Sequence, residues 1–305
     1  MGVLVAIGEG LVELERDGTA ERLAFAAGGD AANIAVMAAR LGARTRLAGR
    51  VGDDPLGAWL RAFWAGRGVD VAHVRADPDA ATGLYLNTPD ADAGHRFVYW
   101  RTGSAGSRLV VEDLDDDVFA GLGLLVVTGV TLAVSASSAA AAAHAVVRAR
   151  AAGARVACVL NHRPRLGGDP RALAAFARDA DVVIGSTEDT AALFGESDAV
   201  ALARGALSGP EVVLTDGAHA AVAVLDGSVF TQPVPVVEVV NGAGAGDAFA
   251  GAYLARRLAG DGCPDALAWA VAAATSSVGR SGCAASYPTL AQTRALLDAI
   301  VEQPA

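Results

Sequence analysis

The sequence NGAGAGDAFAG at residues 241–251 combines closely spaced glycines with one acidic residue, Asp247. A valine-rich run at 234–240 precedes it and predicts a β-strand, and an alanine-rich run at 248–259 predicts a helix. Glycines let backbone N–H groups crowd around an anion, and a helix N-terminus adds about half a positive charge. Asp247 would repel a phosphate there unless it had a task, such as accepting a proton from a hydroxyl. An anion site beside a base indicates phosphoryl transfer.

The basic residues exclude the reactions that require a catalytic lysine. All 24 of them are arginine, and the chain contains no lysine. The glycine loop is therefore not a lysine-bearing P-loop, and lysine Schiff-base chemistry is excluded. The net charge of −10 argues against nucleic acid as a partner. An anionic substrate would need a local group of arginines.

The cysteines and the first residues indicate the compartment. Cys158, Cys263 and Cys283 have no metal-type spacing, so we expect no protein metal site and a reducing, cytoplasmic environment. Residues 1–7 are apolar, but they are too few to cross a bilayer and lack a charged start. We therefore expect neither a secretory leader nor a membrane partner.

Short apolar, β-branched runs alternate with alanine- and leucine-rich runs along most of the chain. This alternation predicts an α/β fold with a doubly wound, mainly parallel sheet flanked by helices. We expect residues 1–305 to form a single domain. The predicted strands are 2–8, 45–51, 122–128, 154–160, 182–185 and 211–215, and the predicted helices are 31–41, 55–66, 135–152, 169–177, 187–194, 264–279 and 289–301.

Two segments, about 11–27 and 82–101, break this alternation and predict paired strands with polar turns at 17–18 and 89–92. Both carry aromatic residues, and together they would form a small β-lid beside the sheet. A lid suits phosphoryl transfer because it excludes water from the reacting group. Its apolar face also predicts a homodimer or a higher homo-oligomer formed through the lid.

The sequence GAGDAF at 244–249 resembles the C-terminal signature of the ribokinase-like (PfkB) carbohydrate kinases. The sequences GGDAANIA at 28–35 and VGDDPLG at 51–57 resemble the N-terminal signature of the same family. The resemblance covers essentially the whole chain in the expected order. It implies a ribokinase-like fold, ATP as phosphoryl donor, and Mg²⁺ that arrives bound to the nucleotide.

Three further stretches resemble 2-keto-3-deoxygluconate kinases within that family: TGLYL at 82–86, FVYWRTGSAGS at 97–107 and NHRPRL at 161–166. The resemblance implies a sugar acid as substrate, phosphorylated at its terminal hydroxyl. Arg101 and Arg163 would then bind the carboxylate, because paired guanidinium–carboxylate contacts favour an acid over a neutral sugar.

The resemblance also implies a role for each matched residue. The catalytic set is the base Asp247 with the main-chain amides of Ala243, Gly244, Ala245 and Gly246. The substrate set is Gly29, Asp30, Asn33, Tyr85, Tyr99, Arg101, Arg163 and Asp247. The nucleotide set is Asn161, Arg163, Ser186, Thr215, Gly217, Ala220, Gly244, Gly246 and Cys283.

Several positions depart from the family pattern and leave alternatives open. Ser186 and Asp189 stand where an Asn-x-x-Glu metal-organising motif is usual, and Val159 replaces a frequent aspartate. Asn241-Gly242 is also similar to 5-dehydro-2-deoxygluconate kinases, so that substrate and fructose remain alternatives. A nicotinamide dehydrogenase fits poorly, because the glycine spacing fails and the loop lies late in the chain. A non-catalytic sugar sensor of the same fold is the remaining alternative.

Overall fold

A ten-stranded sheet forms the centre of the protein, and a separate four-stranded sheet accompanies it. The structure is a computed structural model that describes residues 2–16, 23–90 and 94–302. The strands are β1 (Val3–Ile7), β2 (Leu11–Arg16), β3 (Leu23–Gly28), β4 (Thr45–Gly52), β5 (Val69–Asp70), β6 (Val74–Asp77), β7 (Leu84–Asp90), β8 (Gly94–Trp100), β9 (Leu122–Thr128), β10 (Arg155–Val159), β11 (Val182–Ser186), β12 (Glu211–Asp216), β13 (His219–Leu225) and β14 (Ser228–Gln232).

Helices cover both faces of the central sheet. They are α1 (Asp30–Arg40), α2 (Pro55–Ala65), α3 (Gly129–Ala133), α4 (Ala136–Ala151), α5 (Pro170–Asp179), α6 (Thr187–Phe194), α7 (Ala199–Arg204), α8 (Ala245–Ala259), α9 (Cys263–Val278) and α10 (Leu290–Glu302). One core joins α1, α2, α8 and α9 to one face of the sheet, and two further cores join α4, α5 and α7 to the other.

The strand order confirms the predicted doubly wound, mainly parallel α/β sheet. It runs β5-β4-β1-β9-β10-β11-β12-β13-β14, and β6 also pairs with β4. All pairs from β5 to β12 are parallel, whereas β13 and β14 add an antiparallel edge. The order reverses around β1, so the crossover helices lie on both faces.

Two predictions near the sheet edge need correction. Residues 234–240 form no strand, because Pro233 and Pro235 lack the N–H groups that a ladder needs. The antiparallel strands β13 and β14 stand before this run and were not predicted. Asp226 (φ 49°) and Gly227 (φ 77°) connect them, and two positive φ angles are what a tight hairpin turn requires.

The segments that were predicted to form a lid build the four-stranded sheet, in the order β3-β2-β7-β8, and this sheet is called the lid below. Its central strands β2 and β7 are parallel, and each outer strand pairs antiparallel with its neighbour. The turn predicted at 17–18 lies outside the described residues, as do residues 91–92 of the turn predicted at 89–92, whose first two residues end β7. Asp54 caps α2 and also accepts hydrogen bonds from the backbone N–H and hydroxyl of Thr82, each at 2.8 Å. This contact ties the start of β7 to the central domain.

Candidate active site

The predicted site residues gather where parallel strands end. Asn161 follows β10, Ser186 ends β11 and Thr215 lies near the end of β12. Asp247 reaches the same edge from the first turn of α8. Ligands bind at the carboxyl edge of open α/β sheets, beside the point where strand order reverses.

Asp247 is held by two side-chain amides and is only 8% exposed. Its Oδ2 accepts a hydrogen bond from Asn33 Nδ2 at 2.8 Å, and its Oδ1 accepts one from Asn161 Nδ2 at 3.0 Å. Asn33 lies on α1, whereas Asn161 follows β10. Because the amides come from separate elements, the fold itself sets the orientation of the carboxylate.

The environment of Asp247 suits it to proton exchange near neutral pH. Burial, followed by the negative charge of Asp30, raises the pKa of Asp247 to about 7, and the two amides oppose that rise. Burial also raises the pKa of Asp30, whose Oδ1 accepts a hydrogen bond from the Ala31 N–H at 2.7 Å. A carboxyl group that titrates near the working pH is an effective general base.

Gly244 precedes α8 in a left-handed conformation, with φ 78°. A Cβ atom at this position would collide with the Cys283 thiol and lie 2.8 Å from the Tyr287 hydroxyl. That hydroxyl donates to the Gly244 carbonyl oxygen at 2.8 Å. The first N–H groups of α8, at Ala245 and Gly246, have no acceptor within the helix. The loop therefore fixes the N-terminus of α8, which is where the motif predicts an anion.

Asn241 builds the turn that leads into this loop. Its Oδ1 accepts a hydrogen bond from the Ala243 N–H, and its Nδ2 donates to Glu15 Oε1, both at 2.8 Å. The sequence analysis placed the Ala243 amide among the anion donors, but here it closes the turn. The Ala245 amide is also occupied, because its N–H donates to the Gly242 carbonyl oxygen at 3.3 Å. The amides of Gly244 and Gly246 are the predicted donors that remain for an anion.

A cavity of about 290 Å³ lies beside the first turn of α8, next to Asp247. Asn161, Arg163, Ser186, Thr215 and Gly246 are among its lining residues, so the structure brings most of the predicted nucleotide set together. Asn161 also reaches Asp247, which the sequence analysis did not anticipate. An open helix N-terminus next to a polar cavity fits the phosphates of a nucleotide.

Ser186 and Asp189 cap α6 reciprocally. Ser186 Oγ accepts a hydrogen bond from the Asp189 N–H at 3.0 Å, and the Asp189 carboxylate accepts from the Ser186 N–H at 3.3 Å. Asp189 Oδ1 also accepts from the His162 N–H at 3.1 Å, which anchors the loop after β10. Glu188 and Asp189 both line the cavity, so oxygen ligands suited to a nucleotide-bound Mg²⁺ are present.

Three members of the predicted nucleotide set lie elsewhere. Gly217 (φ 57°) forms the turn between β12 and β13, and Ala220 lies on β13. Neither is among the described residues that line the cavity. Cys283 is buried behind Asn33, whose Nδ2 donates to its sulfur at 3.1 Å. Cys283 therefore helps to orient the Asn33 amide by accepting this hydrogen bond.

The lid contributes two tyrosines to the opposite side of the site. Tyr85 and Tyr99 pair across β7 and β8 with ring centroids 5.4 Å apart. Tyr85 is buried, whereas Tyr99 is 45% exposed. Burial raises the pKa of Tyr99, and the positive charge of Arg163 opposes the rise, as it does for Asp247. Arg163 thus lies close to both the lid and the carboxylate.

The two predicted carboxylate-binding arginines have different surroundings. Arg101 is buried and forms an ion pair with Glu9, a residue that the sequence analysis did not include. Burial and the neighbouring Arg163 lower the pKa of Arg101 to about 10. Arg163 is exposed, and no carboxylate among the described residues pairs with it. Arg163 is therefore the cation left open to an acidic ligand.

Gly29 and Glu9 explain how the first loop approaches the site. Gly29 has φ 97°, and a Cβ atom there would lie 2.6 Å from the Glu9 carbonyl oxygen. Only glycine fits so close a backbone contact. Asp30 and Asn33 follow on the first turn of α1. The sequence analysis assigned both residues to substrate binding.

Two lid carboxylates outside the predicted set join the lid to the loop before α10. Glu13 accepts hydrogen bonds from Asn87 Nδ2 and from the Cys283 N–H, both at 3.1 Å. Glu15 accepts one from the Gly282 N–H at 3.1 Å. Glu13 and Glu15 are two residues apart on a strand, so their side chains lie on the same face of the lid. This spacing could have identified them from the sequence.

Residues 2–16, 23–90 and 94–302 contain no cluster of three or more His, Cys, Asp or Glu side chains placed to hold a metal ion. In that same part of the chain, no helix is long and apolar enough to cross a membrane.

Known proteins resemble this chain over nearly its whole length. The profile of the pfkB family carbohydrate kinase matches residues 3–290. The chain is 34% identical to 2-dehydro-3-deoxygluconokinase from Thermoproteus tenax, over 97% of this chain and 94% of that protein. It is 36% identical to a fructokinase from Klebsiella pneumoniae, over 88% of each. The crystal structure of a fructokinase with bound ATP from Xylella fastidiosa matches with a TM-score of 0.89 at 25% identity, over 98% of this chain and 99% of that one. The chain therefore belongs to the pfkB family of carbohydrate kinases.

Proposed function

We propose that this kinase transfers the γ-phosphoryl group of MgATP to the terminal hydroxyl of 2-keto-3-deoxygluconate (2-dehydro-3-deoxygluconate), giving the 6-phosphate. The observation that carries the substrate class is Arg163, an exposed cation without a carboxylate partner among the described residues, beside Tyr99 and Asp247. A guanidinium next to a base favours an acidic sugar over a neutral one. The 2-dehydro-3-deoxygluconokinase relative supports the same substrate.

In this proposal, Asp247 takes the proton of the attacking hydroxyl. Its two amide partners keep the carboxylate aimed while it changes charge. MgATP, when bound, supplies the phosphoryl group and the positive charge of its metal. The N–H groups of Gly244 and Gly246 stabilise negative charge that develops at the N-terminus of α8.

The sugar lies between α1 and the lid in this proposal. Asn33 is 3% exposed, and its Oδ1 has no hydrogen-bond partner among the described residues. Because its Nδ2 is engaged by Asp247 and Cys283, this oxygen is fixed as an acceptor for a sugar hydroxyl. Tyr85 and Tyr99 close the site and limit the access of water.

Replacing Arg163 by Met should remove the preference for an acid. We expect kcat/KM for 2-keto-3-deoxygluconate to fall roughly tenfold to a hundredfold, since a hydrogen bond to a charged group contributes about 1.5–3 kcal/mol. The kcat/KM for fructose should change less than threefold (about 0.6 kcal/mol). The measurement is steady-state ADP release with both sugars at saturating MgATP.

Arg165→Met is the matched control, because Arg165 is an exposed arginine on the same short turn, Pro164–Leu166. This variant should retain the preference of the unmodified protein. Equal losses on both sugars after Arg163→Met would instead mean that Arg163 serves the nucleotide and does not select the acid.

The neutral-sugar alternative rests on the fructokinase relatives. A neutral sugar would leave Arg163 without a partner, so we place it second. Fructose turned over faster than any keto acid would reverse the order. Preference for 5-dehydro-2-deoxygluconate would keep the role of Arg163 and change only the identity of the acid.

We also propose that two copies associate through the outer face of the lid. Phe25 and Trp100 lie on the face opposite Tyr85 and are 58% and 55% exposed, and Val98 and Leu23 extend this apolar patch. Apolar patches of this kind commonly mark protein interfaces. Trp100→Glu should convert a dimer into a monomer, as measured by sedimentation equilibrium.

Val147→Glu provides the control, because Val147 is also exposed but lies on α4, away from the lid. It should leave the mass in solution unchanged. A monomeric unmodified protein, or a dimer that persists in Trp100→Glu, would rule out this interface.

A further inference from the structure

Asn161 has a strained backbone at the centre of the site. Its φ of 35° makes it one of two non-glycine residues with positive φ among those described, the other being Asp226 in a hairpin turn. Asn161 follows β10 by two residues and does not form a hairpin turn of that kind. Strained backbone that surrounding structure maintains is concentrated at functional sites.

The strained conformation lets one side chain bridge two carboxylates. Asn161 Nδ2 donates to Asp247 Oδ1 at 3.0 Å and to Asp30 Oδ2 at 3.3 Å. An amide nitrogen has two hydrogens, so both are used. Asp30 and Asp247 are therefore neighbours across a shared donor, and each must feel the charge of the other.

The other charged and titratable groups around this pair come from three parts of the fold. Arg163 lies beyond β10 and opposes the effect of burial on both carboxylates. Cys283 and Tyr287 face Asp247 from the loop before α10. Tyr85 and Tyr99 face Asp247 from the lid, where Glu13 lies near both tyrosines and Cys283. Asp30 is the acidic group whose charge acts most on Asp247 after burial.

We infer that Asp30 and Asn161 are positioning residues of the phosphoryl transfer, which together set the pH range in which Asp247 acts as the base. This inference rests on the proposed function for the role of Asp247. The charge of Asp30 favours the protonated form of Asp247, and the amide of Asn161 favours the ionised form. The two residues therefore act in opposite directions on the same proton.

Because Asp30 and Asn161 have opposite effects on the pKa of Asp247, their variants should shift the pH profile in opposite directions. Residues with a purely structural role would not produce opposite shifts. Because Asp247 must be ionised to act as a base, kcat/KM for the sugar acid should rise with pH through a limb near pH 7. Asp30→Asn removes a neighbouring negative charge and should move this limb to lower pH by about one unit. Asn161→Gly keeps the left-handed backbone, removes the amide and should move the limb to higher pH.

Each profile is expressed as a ratio to the unmodified protein at saturating MgATP, so that titration of the nucleotide cancels. Asp265→Asn, an exposed first-turn residue of α9, should leave the limb in place. Limbs that stay fixed in both Asp30→Asn and Asn161→Gly, or that move in the same direction, would overturn the inference.

A second measurement does not depend on turnover. Titration of the folded protein with ¹³Cγ-labelled aspartate should show one resonance with a pKa of about 7, absent in Asp247→Asn and shifted to lower pH in Asp30→Asn. This result would support the coupling even if no sugar acid were phosphorylated. An Asp247 resonance that titrates identically with and without Asp30 would refute the coupling, whatever the substrate.

Discussion

Asp247→Asn should lower kcat by about 10²–10⁴, the usual contribution of a positioned general base. Asparagine has nearly the same shape and can occupy the place between Asn33 and Asn161 once one of those amides turns its oxygen toward the new NH2 group. It cannot accept the proton of the attacking hydroxyl, so binding of sugar and nucleotide should survive while transfer is lost. Calorimetric titration with each ligand and steady-state ADP release measure the two effects separately.

The same substitution at Asp265 is the control, because this residue also lies in the first turn of a helix but is exposed on α9. It should leave kcat unchanged. Turnover within threefold of the unmodified protein in Asp247→Asn (about 0.6 kcal/mol) would refute the assigned base. Joint loss of turnover and of ligand binding would assign Asp247 to binding instead.

Gly244→Ala should be nearly as damaging, for a steric reason. The added methyl group would collide with the Cys283 thiol and press on the Tyr287 hydroxyl, and alanine is strained at φ 78°. The loop must move, and the N–H groups at the start of α8 move with it. We expect kcat to fall about a hundredfold, as when one oxyanion donor is lost, and stability to fall by about 1–3 kcal/mol.

Gly260→Ala separates the strain of the backbone from the collision. Gly260 ends the same helix with φ 98°, and nothing lies within 4 Å of the added methyl group. This variant should lose about 1 kcal/mol of unfolding free energy through strain alone and keep its kcat. Equal kcat values for the two variants would mean that the shape of the Gly244 loop has no part in transfer.

Much of the fold follows from local sequence patterns. Parallel strands buried on both faces give continuous apolar runs such as β9, and Asp54-Pro55 marks the start of α2 because aspartate caps it and proline suits its first turn. The strand predicted at residues 234–240 was wrong because that prediction used valine content alone. Valine favours a strand, but the prolines in and beside this run remove hydrogen-bond donors that a sheet needs. The hairpin between β13 and β14 had a clear signal in Asp226-Gly227.

The candidate site was predictable only where a motif is local. Asp247 and Gly244 stand within one glycine-rich loop, and the sequence alone assigns them to the anion site. Asn161 lies 86 residues from Asp247, and no local pattern reports that the two side chains meet. The pairing of Arg101 with Glu9 was missed likewise, because the fold brings together residues from β1 and from beyond β8. Charge partners of this kind depend on tertiary packing.

The most direct test of the central claim is MgATP-dependent ADP release by the unmodified protein and by Asp247→Asn, each with 2-keto-3-deoxygluconate, 5-dehydro-2-deoxygluconate and fructose. The account predicts turnover by the unmodified protein, fastest with 2-keto-3-deoxygluconate, and loss of that turnover in the variant. Turnover of fructose alone would contradict the sugar-acid proposal and the role of Arg163. Turnover that survives in Asp247→Asn, or its absence with every sugar in the unmodified protein, would contradict the catalytic account itself.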